Sequence, residues 1–491
     1  MTSGPMLEER RSYVAGTWVD GDTAIPVENP ADESVIAEVV ATPLAEVERA
    51  IAEARRSFDE GVWADLPRAE RIAAVERFLD HLEANRAPFA ETIMAEAGQP
   101  RFFADSTQVV TSIATGRATI ELYRQMADEE FNPVPVDELT RGRVALSIRR
   151  HEPMGVVVAI TPYNGAIIMA LQKMVPALLT GNSVILRPSP LTPWSSLLLG
   201  SAAEAAGIPR GVVSVVIEAG NEGAELLTTD PRVDMVSFTG STQVGRMILA
   251  QGASTIKHVA LELGGKSAQI YLPDAIEKVG MGAMMVCAMT AGQACVAATR
   301  MVVPQESKEQ VVAMVAGTYG MLSVGDPTDP ATTMGPVIND AARTRCERIV
   351  EEATQAGATV AFGGGRPSGL DKGYYYEPTV LDVPDNSNPA AQQEIFGPVI
   401  SIIGYTDLDE AVAIANDSAY GLSAQVYGAD VAAATAVGRR IRSGAVNVNT
   451  SVFSAYAPSG GYKQSGLGRE RGPEGIRSFQ EIKHLAIGEL R

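Results

Sequence analysis

The chain contains few of the residues that mark disulfide-bonded, metal-dependent or nucleic-acid-binding proteins. Only three cysteines and four histidines occur among 491 residues, with no CxxC, HxxxH or HExxH spacing. A disulfide framework, a metal site and a Ser-His-Asp hydrolase are therefore disfavoured, and we expect no bound metal. The net charge of −19 disfavours nucleic acid as a partner, because its phosphates are neutralised by basic residues.

Long hydrophobic runs are scarce as well. No stretch of about 18 apolar residues occurs, so we expect no membrane span. The longest apolar run, 279–291, is shorter and contains glycines. The first eleven residues are polar and include acids, unlike the apolar core of a signal peptide. Together with the few cysteines, these features predict a protein of the reducing cytoplasm.

What the chain does have is the composition and pattern of a large α/β protein. Apolar residues make up 46% of it, and at about 150 residues per domain its length indicates about three domains. From residue 155, short apolar runs alternate with helical periodicity, which predicts a doubly wound parallel sheet, and a second alternating series follows from about 257 to 449. The predicted elements are helices 44–58 and 67–85, an exposed strand within 141–152, strand 155–160, helix 169–179, strand 181–187, helix 195–206, strand 212–217, helix 222–228, strand 234–238 and a helix from Thr242.

The run 235–246 has the form of a strand, a glycine turn and a helix start. Free N–H groups at a helix N-terminus favour an anion such as pyrophosphate. Gly240 permits close approach of the backbone, and Ser241 can add a hydroxyl donor. The run is not a P-loop, because Arg246 stands where its lysine would be.

A cysteine and a glutamate supply the minimum groups for covalent catalysis. Cys295 ends the run Gly-Gln-Ala-Cys, and Glu262 lies in the run Leu-Glu-Leu-Gly-Gly-Lys at 261–266. A thiol can attack a carbonyl and a carboxylate can activate water, so the pair can form and then hydrolyse a thioester. Cys287 and Cys346 lie in apolar and helical segments and are predicted to be unreactive.

The order of these motifs resembles the aldehyde dehydrogenase superfamily over nearly the whole chain, from about residue 13 to 479. The further matching blocks are 161–164 (TPYN), 181–182 with 187–189, 238–241 with 244–245, 394–398 (EIFGP), 447–449 (NVN) and 460–470 (GGYKQSGLGRE). The resemblance implies an α/β fold with a Rossmann-like cofactor domain, an α/β catalytic domain and a small β oligomerisation flap, and it implies a homo-oligomer, dimer or tetramer. The implied ranges are 1–131 with 151–257 for the cofactor domain, 258–440 for the catalytic domain, 132–150 with 470–491 for the flap, and 441–469 for a return to the cofactor domain and the substrate channel wall.

The resemblance also implies roles for individual residues. Cys295 would attack the aldehyde, the Asn164 amide would hold the oxyanion, and Glu262 would activate water. Taken alone, Asn164 is equally typical of a helix cap. Lys173 and Glu470 match positions that support the site or relay protons. NAD is the implied cofactor, with contacts from Ile160, Thr161, Pro162, Tyr163, Arg187, Ser189, Phe238, Thr239, Gly240, Ser241, Val244, Leu263, Gly264, Glu394 and Phe396.

Two departures from the family's pattern concern specificity. Arg187-Pro-Ser-Pro190 replaces Lys-Pro-Ser-Glu, so a ribose-gripping carboxylate is missing and a guanidinium suited to phosphate is present. NAD remains the expected cofactor, and NADP stays an alternative. Tyr163 replaces the usual tryptophan and Gly165 a frequent aromatic residue, which predicts a wider substrate channel.

The substrate is expected to be a neutral, apolar aldehyde, aliphatic or aromatic, with a medium-length tail. The residues expected around it include no arginine that would bind an acidic tail. They are Tyr163, Gly165, Ala294, Val296, Val452, Phe453 and Tyr456.

Three alternatives stay open at this point. A CoA-acylating semialdehyde dehydrogenase on the same fold would typically lack the base at Glu262. An inactive structural or binding protein would have no reason to keep Cys295, Glu262 and Asn164 together. A thiol hydrolase without cofactor would not need the glycine turn at Gly240 or the EIF run at 394–396.

Overall fold

The computed structural model describes residues 6–133, 146–288, 290–452 and 454–488. Within these ranges the helices are all too short or too polar to cross a bilayer. Two mainly parallel sheets and a small antiparallel sheet account for most of the described strands.

The first sheet has five parallel strands at its centre, and four of them are buried along their whole length, which explains their mainly apolar sequences, while His258–Glu262 is partly exposed. The first of the parallel strands along the chain is Val156–Ile160, from which the chain winds outward to one side and then crosses to Met235–Thr239 on the other side. The carboxyl ends of these two neighbouring strands therefore border a topological switch point, the usual ligand site of such sheets. In spatial order the strands are Thr17–Val19, Ser12–Val14, Val213–Val215, Ser183–Arg187, Val156–Ile160, Met235–Thr239, His258–Glu262 and Gly466–Leu467.

Helices cover both faces of this sheet. The α-helices are Leu44–Asp59, Arg68–Ala84, Arg86–Ala97, Arg101–Phe103, Ser112–Gln125, Ala166–Leu179, Leu197–Ala205, Glu222–Thr229 and Thr242–Gly252, with a 3₁₀ turn at Ala253–Thr255. Between Arg101–Phe103 and Ser112–Gln125 the chain forms a π-helix, Ala104–Thr111, a form that is often found at functional sites. The apolar sides of Arg68–Ala84, Ser112–Gln125 and Ala166–Leu179 meet in the largest hydrophobic core.

The second sheet is parallel except at one edge, where Thr359–Phe362 pairs antiparallel with its neighbour. Its strands are, in spatial order, Thr359–Phe362, Thr379–Asp382, Val399–Tyr405, Arg300–Pro304, Ala268–Tyr271, Ser423–Tyr427 and Ala445–Val448. The helices of this half are Val279–Ala288, Lys308–Tyr319, Asp340–Gln355, Pro389–Gln392, Leu408–Asn416 and Val431–Gly438, with 3₁₀ turns at Ile276–Lys278 and Gln305–Ser307. The last helix, Gly472–Arg477, packs instead against Ser112–Gln125 and Ala166–Leu179 of the first half.

The third sheet consists of Glu129–Phe131, Leu146–Pro153 and Gln480–Ile487, all antiparallel, with Gln480–Ile487 at its edge. Two short two-stranded antiparallel sheets complete the described strands: the pair Ala24–Glu28 with Val35–Val40, and the pair Tyr420–Gly421 with Tyr462–Lys463. The predicted α/β fold class is confirmed. The domain boundaries stay a prediction, and part of the predicted flap, 134–145, lies outside the described residues.

Candidate active site

A cavity of about 1380 Å³ joins the switch point of the first sheet to the second sheet. Every residue predicted to contact the cofactor lines it, and so do all predicted substrate residues except Phe453, which lies outside the described residues. Cys295, Glu262, Asn164 and Glu470 also line the cavity, whereas Lys173 lies behind its wall. Nowhere in the described ranges do three or more His, Cys, Asp or Glu side chains form a group able to hold a metal ion.

The switch point presents unsatisfied hydrogen-bonding groups to the cavity. The hydroxyls of Thr161 and Thr239 are buried and lack a hydrogen-bond partner among the described residues. Ser241 caps helix Thr242–Gly252 by accepting from Val244 N at 3.3 Å, which leaves its own hydroxyl proton available. Position 240 has no room for a side chain, because a Cβ there would lie only 2.4 Å from the ring of Phe238. These strand ends and this helix N-terminus fit a dinucleotide pyrophosphate.

The guanidinium of Arg187, which the sequence indicates to be suited to phosphate, already has a carboxylate partner in the structure. Its Nε donates to Glu218 Oε2 at 2.9 Å, and its Nη2 donates to the carbonyl of Gly220 at 3.2 Å. Glu218 is 7% exposed and also accepts from Ala224 N at 3.1 Å. Glu225 adds a further carboxylate to the same cavity wall. A 2′-phosphate at this end would therefore meet a neutralised arginine and an additional negative charge.

Cys295 lies half-buried on the loop that follows helix Val279–Ala288. Thr290, Ala291 and Gly292 precede it with φ of 54°, 52° and 73°, and the first two are unusual values for residues that carry a Cβ. Its backbone is held close to Gly265, where a Cβ would lie 2.3 Å from the Cys295 carbonyl oxygen. Cys287 and Cys346, by contrast, are fully buried, as predicted.

The Cys295 thiol is in an environment that opposes ionisation. Burial and the nearby carboxylates of Glu394 and Glu262 raise its pKa to about 12, although the N–H groups of Val296 and of Cys295 itself oppose the rise. Attack on a carbonyl by this sulfur therefore needs help from a group that removes its proton or stabilises the resulting charge.

Asn164 lies between strand Val156–Ile160 and helix Ala166–Leu179, with its side chain on the cavity wall. Its backbone carbonyl accepts two amide hydrogen bonds, from Gln99 Nε2 at 3.0 Å and from Gln108 Nε2 at 2.8 Å. Gln108 belongs to the π-helix Ala104–Thr111, so this irregular turn helps to fix the position of Asn164. Neither glutamine was predicted from the sequence to contact Asn164.

Glu262 is the last residue of strand His258–Glu262 and lies half-buried at the cavity. Burial and the neighbouring Glu470 raise its pKa to about 8, while Lys173, Arg469 and Arg471 act in the opposite direction. Lys173 is 1% exposed, forms an ion pair with Glu470 and donates to Ser237 Oγ at 3.1 Å. A carboxylate that titrates near neutrality is suited to act as a general base.

Glu394 and Phe396 stand across the cavity from the first sheet. Glu394 accepts from Gly265 N at 2.9 Å. Phe396 has φ of 56°, a strained value for a bulky residue, and its ring meets the ring of Tyr163 edge-on at 6.0 Å. Tyr163 also donates its hydroxyl to Gln293 Oε1 at 3.1 Å. The predicted widening of the channel at Tyr163 and Gly165 stays a prediction.

The outer wall is largely apolar, and Val452 and Tyr456 are exposed at its mouth. The sequence analysis did not identify the other apolar residues of this wall, which include Phe103, Val110, Ala114, Ala118, Ile168 and Met169. The residues predicted around the substrate include no arginine, and in the structure two further residues that line the cavity, Arg345 and Arg471, are arginines. Arg345 is bound to the backbone, because its Nε donates to the carbonyl of Ile395 at 2.8 Å.

Comparison with known proteins agrees with this geometry. The model of the aldehyde dehydrogenase family matches residues 18–485. Geranial dehydrogenase of Castellaniella defragrans is 36% identical over 98% of this chain and 99% of its own length. The mitochondrial succinate-semialdehyde dehydrogenase of Arabidopsis thaliana is 35% identical over 99% of this chain and 90% of its own.

Solved structures extend the similarity to the whole architecture. Aldehyde dehydrogenase C of Pseudomonas syringae, a cysteine-to-alanine variant bound to NAD+ and octanal, superposes with a TM-score of 0.93 at 35% identity, covering 99% of each chain. Betaine aldehyde dehydrogenase of Staphylococcus aureus, bound to NAD+, superposes with a TM-score of 0.93 at 32% identity. The match covers 97% of this chain and 94% of that protein's chain. On its sequence, its fold and the residues gathered in its cavity, this chain belongs to the aldehyde dehydrogenase family.

Proposed function

We propose that Cys295, Glu262 and Asn164 carry out the aldehyde dehydrogenase reaction of this chain, with NAD as oxidant and a neutral, apolar aldehyde as substrate. The observation that carries the proposal is the convergence of a thiol, a carboxylate of raised pKa and an amide on one cavity. The same cavity continues to a switch point built for a dinucleotide.

In the first half of the reaction, the thiol of Cys295 gives up its proton to water, and the resulting thiolate attacks the aldehyde carbon. The carbonyl oxygen becomes an oxyanion, which the side-chain amide of Asn164 and the backbone N–H of Cys295 stabilise. Preformed donors of this kind contribute about 3 kcal/mol each. NAD, when bound, supplies the acceptor for the hydride that leaves the hemithioacetal, so that Cys295 is left carrying a thioester.

In the second half, Glu262 takes a proton from a water molecule whose oxygen attacks the thioester carbon. The carbon–sulfur bond breaks, the electron pair stays on the sulfur of Cys295, and the carboxylic acid leaves. Lys173 and Glu470 support this step from behind Glu262, since their buried ion pair borders the base. Hydrolysis restores the free thiol for the next turnover.

NAD is proposed over NADP because of the charges at the Arg187 end of the cavity. The guanidinium of Arg187 is neutralised by Glu218, and Glu225 lines the same wall. A 2′-phosphate carries additional negative charge, which this wall disfavours. The residues that would hold NAD are those predicted from the sequence, with Thr161, Thr239, Gly240 and Ser241 at the pyrophosphate and Glu394 and Phe396 at the nicotinamide end.

A neutral, apolar substrate is supported by the outer wall, where Phe103, Val110, Ala114 and Met169 face the cavity. The octanal found in the Pseudomonas structure and the geranial named for the Castellaniella enzyme are aldehydes of this class. The succinate-semialdehyde enzyme of Arabidopsis is almost equally similar, so identity alone does not choose the substrate.

The presence of Glu262 argues against two alternatives, a CoA-acylating dehydrogenase and an inactive scaffold. The carboxylate is present at the cavity with a pKa of about 8, as a hydrolytic base requires. A protein without activity gains nothing from two strained residues, Thr290 and Ala291, before a cavity cysteine.

The experiment that tests the proposal is NADH formation, measured at 340 nm, with a panel that includes hexanal, octanal, benzaldehyde and succinic semialdehyde. We expect CoA-independent NADH with the three neutral aldehydes and little with succinic semialdehyde. A clear preference for succinic semialdehyde would refute the substrate class. A strict requirement for CoA would favour acyl transfer, and no NADH with any aldehyde would favour the inactive scaffold.

We further propose that the protein is a cytoplasmic homotetramer, with a dimer as the alternative state. Strand Gln480–Ile487 pairs on one side only among the described residues, and it exposes Ile482 and Ile487. Such an edge can pair with a second copy. The three cysteines are free thiols, in keeping with a reducing compartment. Sedimentation equilibrium of the full chain distinguishes monomer, dimer and tetramer by mass.

A further inference from the structure

Gln293 lies two residues before Cys295, yet the mechanism above does not use it. Its side chain is 2% exposed and lies behind the cavity wall rather than on it. The amide oxygen accepts from the hydroxyl of Tyr163 at 3.1 Å and from the backbone N–H of Ile338 at 3.0 Å. The amide nitrogen donates to the carbonyl of Thr290 at 2.9 Å. One buried amide therefore joins three separate segments of the chain.

The first of these segments is the turn that carries Cys295. Thr290 and Ala291 have φ of 54° and 52°, and residues with a Cβ keep such values only where their surroundings hold them. Besides its amide nitrogen, Gln293 uses its backbone N–H to donate to the Thr290 carbonyl at 3.1 Å, and its own carbonyl accepts from the Thr290 hydroxyl at 3.0 Å. Gln293 thus helps to fix the direction in which the chain reaches Cys295.

The second segment belongs to the oxyanion residue. Tyr163 follows strand Val156–Ile160 of the first sheet and directly precedes Asn164. Its hydroxyl reaches Gln293, 130 positions further along the chain. Tyr163 stands where the family's usual pattern has tryptophan, so this hydroxyl is a feature of the present chain. The hydrogen bond ties the segment of Asn164 to the turn of Cys295.

The third segment anchors the amide itself. Ile338 is buried, and the next residue, Asn339, caps helix Asp340–Gln355 by accepting from Ala342 N at 2.9 Å. The N–H of Ile338 therefore belongs to a fixed helix entrance. Because the amide oxygen of Gln293 is held there as well, it cannot follow a movement of Tyr163 freely.

We infer that Gln293 is a positioning residue for acylation, because its amide, bonded to the Tyr163 hydroxyl, sets the distance and direction of the Cys295 sulfur relative to the Asn164 amide. The inference rests on the proposed function, since it concerns the step in which the thiolate attacks a carbonyl carbon. In that step a sulfur–carbon bond forms, and the carbonyl π electrons move to the oxygen that Asn164 stabilises. A misplacement of about 1 Å between such groups costs about 10²-fold in rate.

The test applies two reagents to enzyme without cofactor, which removes any effect of Tyr163 on the nicotinamide end. p-Nitrophenyl acetate acylates Cys295 through an oxyanion and expels p-nitrophenolate with the C–O electron pair, so the burst rate depends on the sulfur and the Asn164 amide together. Iodoacetamide alkylates the same sulfur by displacement of iodide and forms no oxyanion. The rate at which it abolishes the burst therefore reports the thiol alone.

Gln293→Leu should slow the burst by about 10²-fold, and Tyr163→Phe, which removes only the hydroxyl, by about tenfold. Alkylation should stay within about threefold of the wild-type rate in both variants, because it needs no oxyanion donor. The double variant should be no slower than Gln293→Leu, since both substitutions remove the same hydrogen bond. Tyr163→Phe keeps the ring in the wall and tests the inference even where Gln293→Leu folds poorly.

The matched control is Tyr427→Phe, which removes the same kind of bond, from a buried tyrosine hydroxyl to Gln425 Oε1 at 2.9 Å, away from the cavity. It should leave both rates unchanged. An unchanged burst in Gln293→Leu and Tyr163→Phe would overturn the inference, as would an alkylation rate that changes as much as the burst rate. Additive losses in the double variant would also overturn it. Failure of the proposed function looks different, because wild-type protein would then show neither a burst nor NADH.

Discussion

The two ends of the cavity use the same residue types in opposite ways. At one end, Arg187 and Glu218 are buried as an ion pair whose remaining groups bind backbone atoms. At the other end, the side-chain carboxylate of Glu262 forms no hydrogen bond or ion pair among the described residues, and burial together with Glu470 raises its pKa to about 8. A paired carboxylate fixes the shape and charge of a wall, whereas an unpaired buried carboxylate can exchange a proton near neutral pH.

The largest effect is expected from removal of the proposed nucleophile, Cys295. Cys295→Ala should reduce NADH formation by about 10⁴-fold or more, because no other group on the cavity wall can form the thioester. The affinity for NAD+, measured by calorimetry, should stay within about twofold of the wild-type value, since the binding wall is separate. Residual activity above about one percent would mean that another group serves as nucleophile.

Glu262→Gln should separate the two halves of the reaction. The substitution keeps the size of the side chain but removes the base, so multiple turnover should fall by about 10³-fold. The first turnover should still produce about one equivalent of NADH per active site, because acylation does not require hydrolysis. Rapid-quench measurements with mass spectrometry would show the acyl group on Cys295. Absence of that first equivalent would place Glu262 in the first half instead.

Asn164→Ala should have a smaller effect, because the backbone N–H of Cys295 remains as an oxyanion donor. Loss of one donor typically reduces the rate by about 10²-fold. The decrease should appear in the burst phase rather than in hydrolysis alone. An unchanged burst with normal thermal unfolding would return Asn164 to the role of a structural cap.

The pH dependence of thioester hydrolysis tests the role of Glu262 in a second way. Glu262 must be deprotonated to act as base, and its pKa is raised to about 8, so the protonated form predominates below that pH. The hydrolytic rate should therefore rise about tenfold from pH 7 to a plateau above the pKa. The same rise should be missing in Glu262→Gln. A flat wild-type profile between pH 6 and 9 would contradict the assignment of the base.

The smallest effect is expected from a substitution at the Arg187–Glu218 end of the cavity. Glu218→Gln keeps a hydrogen-bond acceptor for Arg187 but removes the charge, so NADP+ should bind about fivefold more tightly, equivalent to ~1 kcal/mol. Calorimetry with both dinucleotides measures the ratio directly. Glu222→Gln is the matched control, because Glu222 is exposed and does not line the cavity. Equal gains in the two variants would mean that overall charge, and not Glu218, sets the preference.

The sequence was sufficient for features that are encoded locally. The strand before Asn164 was predicted at 155–160 and lies at Val156–Ile160, and the helix after it was predicted at 169–179 and lies at Ala166–Leu179. Cys295, Glu262 and Asn164 were recognised because each lies in a short motif, and the structure brings them to one cavity. Local periodicity and motif order were enough for both results.

The remaining features depend on contacts between distant residues. The partner of Arg187 is Glu218, 31 positions away, and the carbonyl of Asn164 is bound by Gln108, 56 positions away. No periodicity encodes such pairs, so the sequence indicated only that the guanidinium of Arg187 is suited to phosphate and did not identify its partner. Gln293 was part of the motif that indicated Cys295, but its bond to Tyr163 required coordinates.

The π-helix Ala104–Thr111 has a consequence for insertions and deletions in this chain. A π turn accommodates extra backbone within an otherwise α-helical path, so removal of one residue would favour an ordinary α-helix. Each residue of an α-helix turns the chain by about 100°, and such a change would rotate Gln108 away from the carbonyl of Asn164. A length change along this wall would therefore be expected to remove the hydrogen bond from Gln108 and to require a different support for Asn164.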